Sequence, residues 1–398
     1  MRVSWGAAAL GVAVAAAMVL GVLLGTHPAA AGALGSDGLL PLAEPAAPAP
    51  TPVVHVSATD LNPTTPITVT VTDGTAQTVR VTDPKGTAVD GTLAPDAHTW
   101  TSTGALAYGT TYAVAVDTLA ADRTPGHADE TVHTIAPKAE AYPSFVPAPN
   151  SVPTVGVGQP LVVRFDHAIT DRAAAEKALT VTTSPAQAGG WAWISDTEVH
   201  YRPPQYWQPG TAITLKAAMF GVDLGDGVYG STDRTLTLKV HDAWVAKADG
   251  ATEQMQIFDN GALVKTMQIS LGAPGFPSHT GPHVISDKQP SIVMDSCTYG
   301  VCAGQPGYYK EKVDLDLRIS NDGEFVHSAP WSVGQQGNSN VSHGCVNLAP
   351  ADAQWFFDHF GIGDVVEITN SGGPSLPLYD TYGDWELSWP DWQAASAL

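Results

Sequence analysis

The sequence predicts a mainly β protein. Two immunoglobulin-like sandwiches stand in series, followed by a larger β-rich module with a short helix and a packed C-terminal tail. Three observations lead there. At 398 residues the chain is too long for one ordinary domain and suits two to four. It is 44% hydrophobic but only 14% charged, with 39 Gly and 31 Pro, a mix that suits short strands joined by many turns. Through most of its length, apolar and polar residues alternate in short runs bounded by turn residues.

Residues 1–34 read as an export segment. Arg2 supplies a positive charge, Ala7 to Leu24 is almost unbroken apolar sequence, and Ala29-Ala30-Ala31-Gly32-Ala33 offers small residues for cleavage. The apolar run is just long enough to span a bilayer, so a cleaved signal peptide and a retained single-span membrane anchor both fit. The segment has no cysteine to carry a lipoprotein lipid. Either way, the rest of the chain is expected to work outside the cytoplasm, in the cell wall or periplasmic space, secreted or anchored. The formal net charge of −21 excludes nucleic acid as a partner, because nothing is available to neutralise phosphates in bulk.

Residues 35–52, rich in Pro and Ala, read as an extended linker. In 53–136, Ile67-Thr68-Val69-Thr70-Val71, Thr78-Val79-Arg80-Val81 and Thr111 to Val116 alternate like strands, with Asp73-Gly74, Asp83-Pro84 and Asp90-Gly91 as turns between them. That spacing predicts the first sandwich. In 137–240, Leu161 to Phe165 and Leu236 to Val240 read as strands and Asp171 to Leu179 as a short helix. Trp191, Trp193, Tyr201, Tyr206 and Trp207 form an aromatic group, either a glycan-stacking platform or core packing, and aromatic dominance of cores favours the latter.

The third module, 241–370, opens with two strands around Asp259-Asn260-Gly261, a strong hairpin signal. Ile292 to Asp295, Val313 to Ile319 and Val365 to Ile368 continue the β pattern, and Pro350 to Phe360 reads as a helix with an apolar face. In the extension 371–398, Trp385, Trp389 and Trp392 are expected to pack back on the chain.

The chemistry concentrates in Ser342-His343-Gly344-Cys345-Val346-Asn347, with His327-Ser328 upstream. A thiol nucleophile needs a base in space, not in sequence, and a cysteine with separate histidines meets that need. Glycine beside the cysteine lets a carbonyl approach backbone N–H groups that can hold an oxyanion. Ser328, through its carbonyl or its hydroxyl, could orient the imidazole. His343, Cys345 and His327 could instead ligate zinc, but a tetrahedral site wants four ligands at tight spacings, so no metal is expected. His279, His283 and His359 have no motif around them and read as ordinary. The cysteines number three, an odd count that fits either a Cys297–Cys302 pair with Cys345 free or three thiols.

These strings resemble the catalytic motif of the L,D-transpeptidases of bacterial cell-wall assembly, the YkuD domain. Trp191-Ala192-Trp193 and Tyr206-Trp207-Gln208-Pro209-Gly210 resemble the second Ig-like domain of the mycobacterial type. The resemblance implies Cys345 as nucleophile, His327 as base, and a site-shaping role for His343. It implies an oxyanion hole from the N–H groups of His343, Gly344 and Cys345. Met294-Asp295 with Thr298-Tyr299-Gly300-Val301 matches the start of a mobile lid, Tyr309 falls where a lid tyrosine covers the thiol, and Trp331, Ser342 and Asn347 match site-lining positions. Cys297 and Cys302 depart from that pattern, and a bond between them would stiffen the lid base.

The implied reaction is 3→3 cross-linking of peptidoglycan stem peptides at diaminopimelate, from a donor tetrapeptide to an acceptor stem, through a cysteine thioester, with no cofactor. Carbapenem β-lactams are expected to acylate the same thiol. The rivals are an L,D-carboxypeptidase, with water as acceptor, and a catalytically inactive wall-binding protein.

Overall fold

The computed structural model describes residues 49–57 and 60–398. The expected export segment and most of the expected linker lie outside the described residues. Among the described residues, no helix is long and apolar enough to cross a membrane.

The first sandwich packs a sheet ordered Val53–Val56, Thr68–Thr72, Thr99–Ser102, Gly91–Leu93 against a sheet ordered Gly74–Thr82, Thr111–Ala120, Pro125–His133. Strict alternation along Thr111–Ala120 sends Tyr112, Val114 and Val116 inward, where they meet Ile67, Val69, Val71 and Trp100. Gly91 lies directly under Trp100: a Cβ there would come within 2.0 Å of the indole. The second sandwich pairs Gly190–Trp193, Glu198–Arg202, Leu161–Phe165 and Pro143–Val146 in one sheet, and Leu179–Ser184, Ala212–Ala217 and Arg234–Lys239 in the other. Its helix, Arg172–Ala178, is N-capped by Asp171, whose carboxylate accepts the Ala174 N–H. Trp191, Trp193, Tyr201 and Trp207 are core residues, and Tyr206 packs against that core, so the aromatic group is packing and not an exposed platform.

The third module is a nine-stranded mixed sheet. From the hairpin to one edge, the order runs Gln254–Asp259, Ala262–Ser270, Val346–Leu348, Phe325–Ser328, Lys310–Arg318, Asp287–Asp295. The hairpin turn has Asn260 and Gly261 both at positive φ, as a type I′ turn demands. Helix Pro350–His359 starts on a proline and buries Ala353 and Phe356 against the sheet core.

The tail folds back onto the second sandwich. The Arg202 guanidinium, buried on the sheet, lies 4.8, 5.6 and 4.5 Å from the rings of Trp385, Trp389 and Trp392. Each such contact is worth roughly 0.5–2 kcal/mol, more when desolvated. The Trp385 and Trp392 indoles donate to the carbonyls of Gly158 and Gly190. Deeper in, Glu176 accepts hydrogen bonds from the Trp193 indole, the Ser396 hydroxyl and the Ala397 N–H. His200 bridges Glu198 and Asp384 at 2.6 Å on each side.

Candidate active site

Parallel pairing of Phe325–Ser328 with Val346–Leu348 sets His327 opposite Asn347, two positions beyond Cys345. One register therefore brings the upstream His-Ser pair to the Cys345 strand. The two side chains line a cavity of about 280 Å³ together with Met294, Tyr309, Trp331 and His343. Met294 is buried with Cys345 in a small apolar cluster against which Tyr309 packs. Trp331, exposed on the rim, holds its ring 5.9 Å from that of His327. The His343 ring lies between Phe276 and Tyr309, with centroids at 4.7 and 5.1 Å.

The Ser328 carbonyl, not its hydroxyl, orients the base: it lies 3.0 Å from His327 Nδ1. A carbonyl only accepts, so Nδ1 carries the proton and Nε2 keeps its lone pair. The imidazole is buried and its pKa falls to about 4, with the Ser328 and Asn347 bonds acting the other way. The Cys345 thiol donates to the Gly323 carbonyl at 3.6 Å. Burial pushes that thiol up to about 12; the Phe325 N–H lowers it, the charges of Glu324 and Asp316 raise it, and Arg318 lowers it again. At neutral pH the pair is therefore thiol and neutral imidazole, and the proton moves only as attack begins.

Ser342 ties the turn together: its hydroxyl donates to the Cys345 carbonyl and accepts the Gly344 N–H at 3.1 Å. The Gly344 N–H, read as an oxyanion donor, is already engaged by Ser342. Glycine is needed there for a different reason, its φ of +119°. Asn347 donates to the Ser332 hydroxyl. Cys297 and Cys302 are joined in a disulfide, and Cys345 is the free thiol among the described residues. No group of three or more His, Cys, Asp or Glu among the described residues is placed to hold a metal ion.

A second set of residues escaped the sequence reading. His279 and His283, read as ordinary, both face the buried carboxylate of Glu324, at 3.3 Å each. Glu324 also accepts the His279 backbone N–H at 2.8 Å. It packs against Gly344, where a Cβ would come within 3.2 Å of its Oε1. Asp316 is almost fully buried on Lys310–Arg318, and burial with the nearby Asp314 charge raises it to about 7, the Ile292 N–H acting the other way. Neither stood out in the sequence: Glu324 directly precedes the strand Phe325–Ser328, and Asp316 lies in Lys310–Arg318, where charged residues alternate with Val313, Leu315 and Leu317 as on a solvent-facing strand.

Known proteins resemble this chain. A bacterial Ig-domain family matches residues 58–223, and the L,D-transpeptidase catalytic-domain family matches residues 244–368. L,D-transpeptidase 2 of Mycobacterium tuberculosis is 38% identical over 91% of this chain and 88% of its own length. L,D-transpeptidase 5 of the same species is 34% identical over 86% of this chain and 75% of its own. The structure of the LD transpeptidase LdtMt1 in complex with imipenem superposes with a TM-score of 0.51 at 33% identity, covering 58% of this chain and all of that one. Two Ig-like sandwiches, a cysteine–histidine cavity and similarity along nearly the whole chain lead to one conclusion: the chain belongs to the L,D-transpeptidase family.

Proposed function

We propose that the protein is an extracytoplasmic acyltransferase that cross-links peptidoglycan stems 3→3 through a thioester on Cys345. The observation that carries this reading is the pairing of a free thiol with a neutral, carbonyl-oriented imidazole across one cavity. The thiol attacks the carbonyl at the L-centre of diaminopimelate in a donor tetrapeptide. Nε2 of His327 takes the thiol proton as the C–S bond forms and then delivers it to the amine of the departing D-Ala. An amine of a neighbouring stem attacks the thioester, passes its proton to His327 and restores the thiol. The N–H groups of His343 and Cys345 are the donors left for the oxyanion, each worth about 3 kcal/mol of barrier. Trp331 and Met294 wall the donor side, and Tyr309 covers the thiol. A relative was solved with imipenem, which supports β-lactam acylation of the same thiol here.

Purified protein incubated with disaccharide tetrapeptides should yield 3→3 dimers by mass spectrometry. Tripeptide monomers alone would mean hydrolysis, and no turnover with an unmodified Cys345 would mean an inert domain.

A further inference from the structure

A second cavity of about 190 Å³ adjoins the one that His327 lines, sharing Tyr309 and His343 with it, and is bordered by His279, Asp322 and Glu324. Glu324 is the centre of this region. It is 5% exposed, neighbours the Gly323 carbonyl that holds the thiol proton, and packs on Gly344. A carboxylate in that position opposes formation of a thiolate, or of an oxyanion on the same turn, unless something offsets it. Two imidazoles are in place to do so. His279 Nδ1 lies 3.3 Å from Oε1 and His283 Nε2 lies 3.3 Å from Oε2. Their neighbour Ser278 fixes the geometry by donating to the Gly344 carbonyl at 2.7 Å.

We propose that His279, Glu324 and His283 form a charge-balancing bracket behind Gly344–Cys345, a set of positioning residues that sets how readily the thiol gives up its proton. The proposal rests on Cys345 being the reactive thiol. With a proton on His279 the bracket is offset and the developing negative charge on sulfur is tolerated. When that proton leaves, an uncompensated carboxylate stands behind the sulfur. The close contact with Glu324 raises the His279 pKa, burial working against it and the charges of Asp322 and Asp380 with it. The charged state thus persists above the ordinary imidazole value and is lost as pH rises through the raised one. Glu324 itself is kept ionised: burial opposes this, and the two histidines outweigh it. The other groups facing the bracket are Asp322, 3.6 Å from His279 Nε2, and Glu386 beside His283. Asp316 and Arg318 face the thiol and act on it with opposite sign.

The test is the rate of iodoacetamide alkylation of Cys345 in the full-length protein, followed by peptide mass spectrometry from pH 6 to 9. Glu324→Gln removes the charge and keeps the shape, so alkylation at fixed pH should be roughly three- to tenfold faster. His279→Gln leaves the carboxylate uncompensated and should be slower by a similar factor. In the wild type the rate should rise less than tenfold per pH unit while His279 loses its proton, and that flattening should vanish in His279→Gln. The His359→Gln control should change nothing. Slower alkylation in both bracket variants, or no change in either, overturns the proposal in favour of simple packing. If Glu324→Gln does not fold, the slope of the His279→Gln profile decides alone, because His279 is partly exposed. A Cys345 that resists alkylation throughout would defeat the functional reading instead.

Discussion

His327 and His200 are buried to almost the same degree, 3% and 4% exposed, yet they hold opposite charge states. Around His327 the hydrogen-bonding partners are the Ser328 carbonyl and the Asn347 amide, and burial takes the imidazole down to about 4. Around His200, burial acts the same way but Asp384 and Glu198 outweigh it, and the imidazole rises to about 9. Glu198 follows suit: burial would raise it, but its bonds to His200 and Arg164 bring it down to about 2. Burial sets the cost of charge, and the partners decide whether that cost is met. One histidine is thereby a free base in a cavity, the other a cationic clasp between the second sandwich and the tail.

The comparison breaks first at the thiol. If His327 is a base, Cys345 is what it serves, and Cys345→Ala should abolish 3→3 dimer formation while costing only ~1 kcal/mol of stability. Dimers formed by that variant would leave His327 without a role.

Next in size is the base itself. His327→Gln should slow carbapenem acylation by about 100- to 10,000-fold with little change in unfolding midpoint. In the wild type, NMR of the ring should show it uncharged down to about pH 4, so acylation should not lose its base until the pH falls through that value. A ring that titrates near 6.5 would erase the contrast with His200.

The clasp should fail thermodynamically rather than kinetically. Asp384→Asn removes a fully buried partner of a charged imidazole and should cost about 3 kcal/mol, read as a fall in the denaturation midpoint with acylation at Cys345 retained. The sign of the pH dependence follows from the raised value. The clasp contributes fully below the unfolded imidazole pKa near 6.5, and its contribution is lost as pH rises through about 9. Wild type should weaken across that window, and Asp384→Asn should weaken less.

The smallest effect concerns the lid. The Cys297–Cys302 loop is short, so reducing it should cost at most about 2 kcal/mol. It should speed carbapenem acylation by freeing Tyr309 without moving the adduct from Cys345. An unchanged rate on reduction would detach the disulfide from lid motion.

Much of this was legible from residue types alone. Asn260-Gly261 between alternating runs is a local signal, and so is Pro350 opening an amphipathic segment. The reactive string was equally local. Ser328 was legible as the orienting residue, but which of its oxygens acts was not, because every residue type has a carbonyl. The clasp and the bracket were illegible for another reason. His200 and Asp384 are 184 positions apart, and His279 and Glu324 are 45 apart. Such pairs have no period or spacing that marks them. A lone histidine in sequence looks the same whether it meets water or a buried carboxylate. The tail tryptophans fall between these cases. Their number said that they pack, but nothing nearby named Arg202 as the cation that they enclose.

Glu176 makes the second sandwich dependent on sequence made much later. Its carboxylate is 2% exposed, and of its three donors only Trp193 belongs to that sandwich; Ser396 and Ala397 arrive from the tail. During synthesis, the sandwich can pair its strands as soon as residue 240 emerges, yet the Glu176 carboxyl lacks two of its three donors until the whole catalytic module has followed. Nicking the chain before Ser396 would return it to that unfinished state, so a protease acting on the tail would weaken a domain that it never touches.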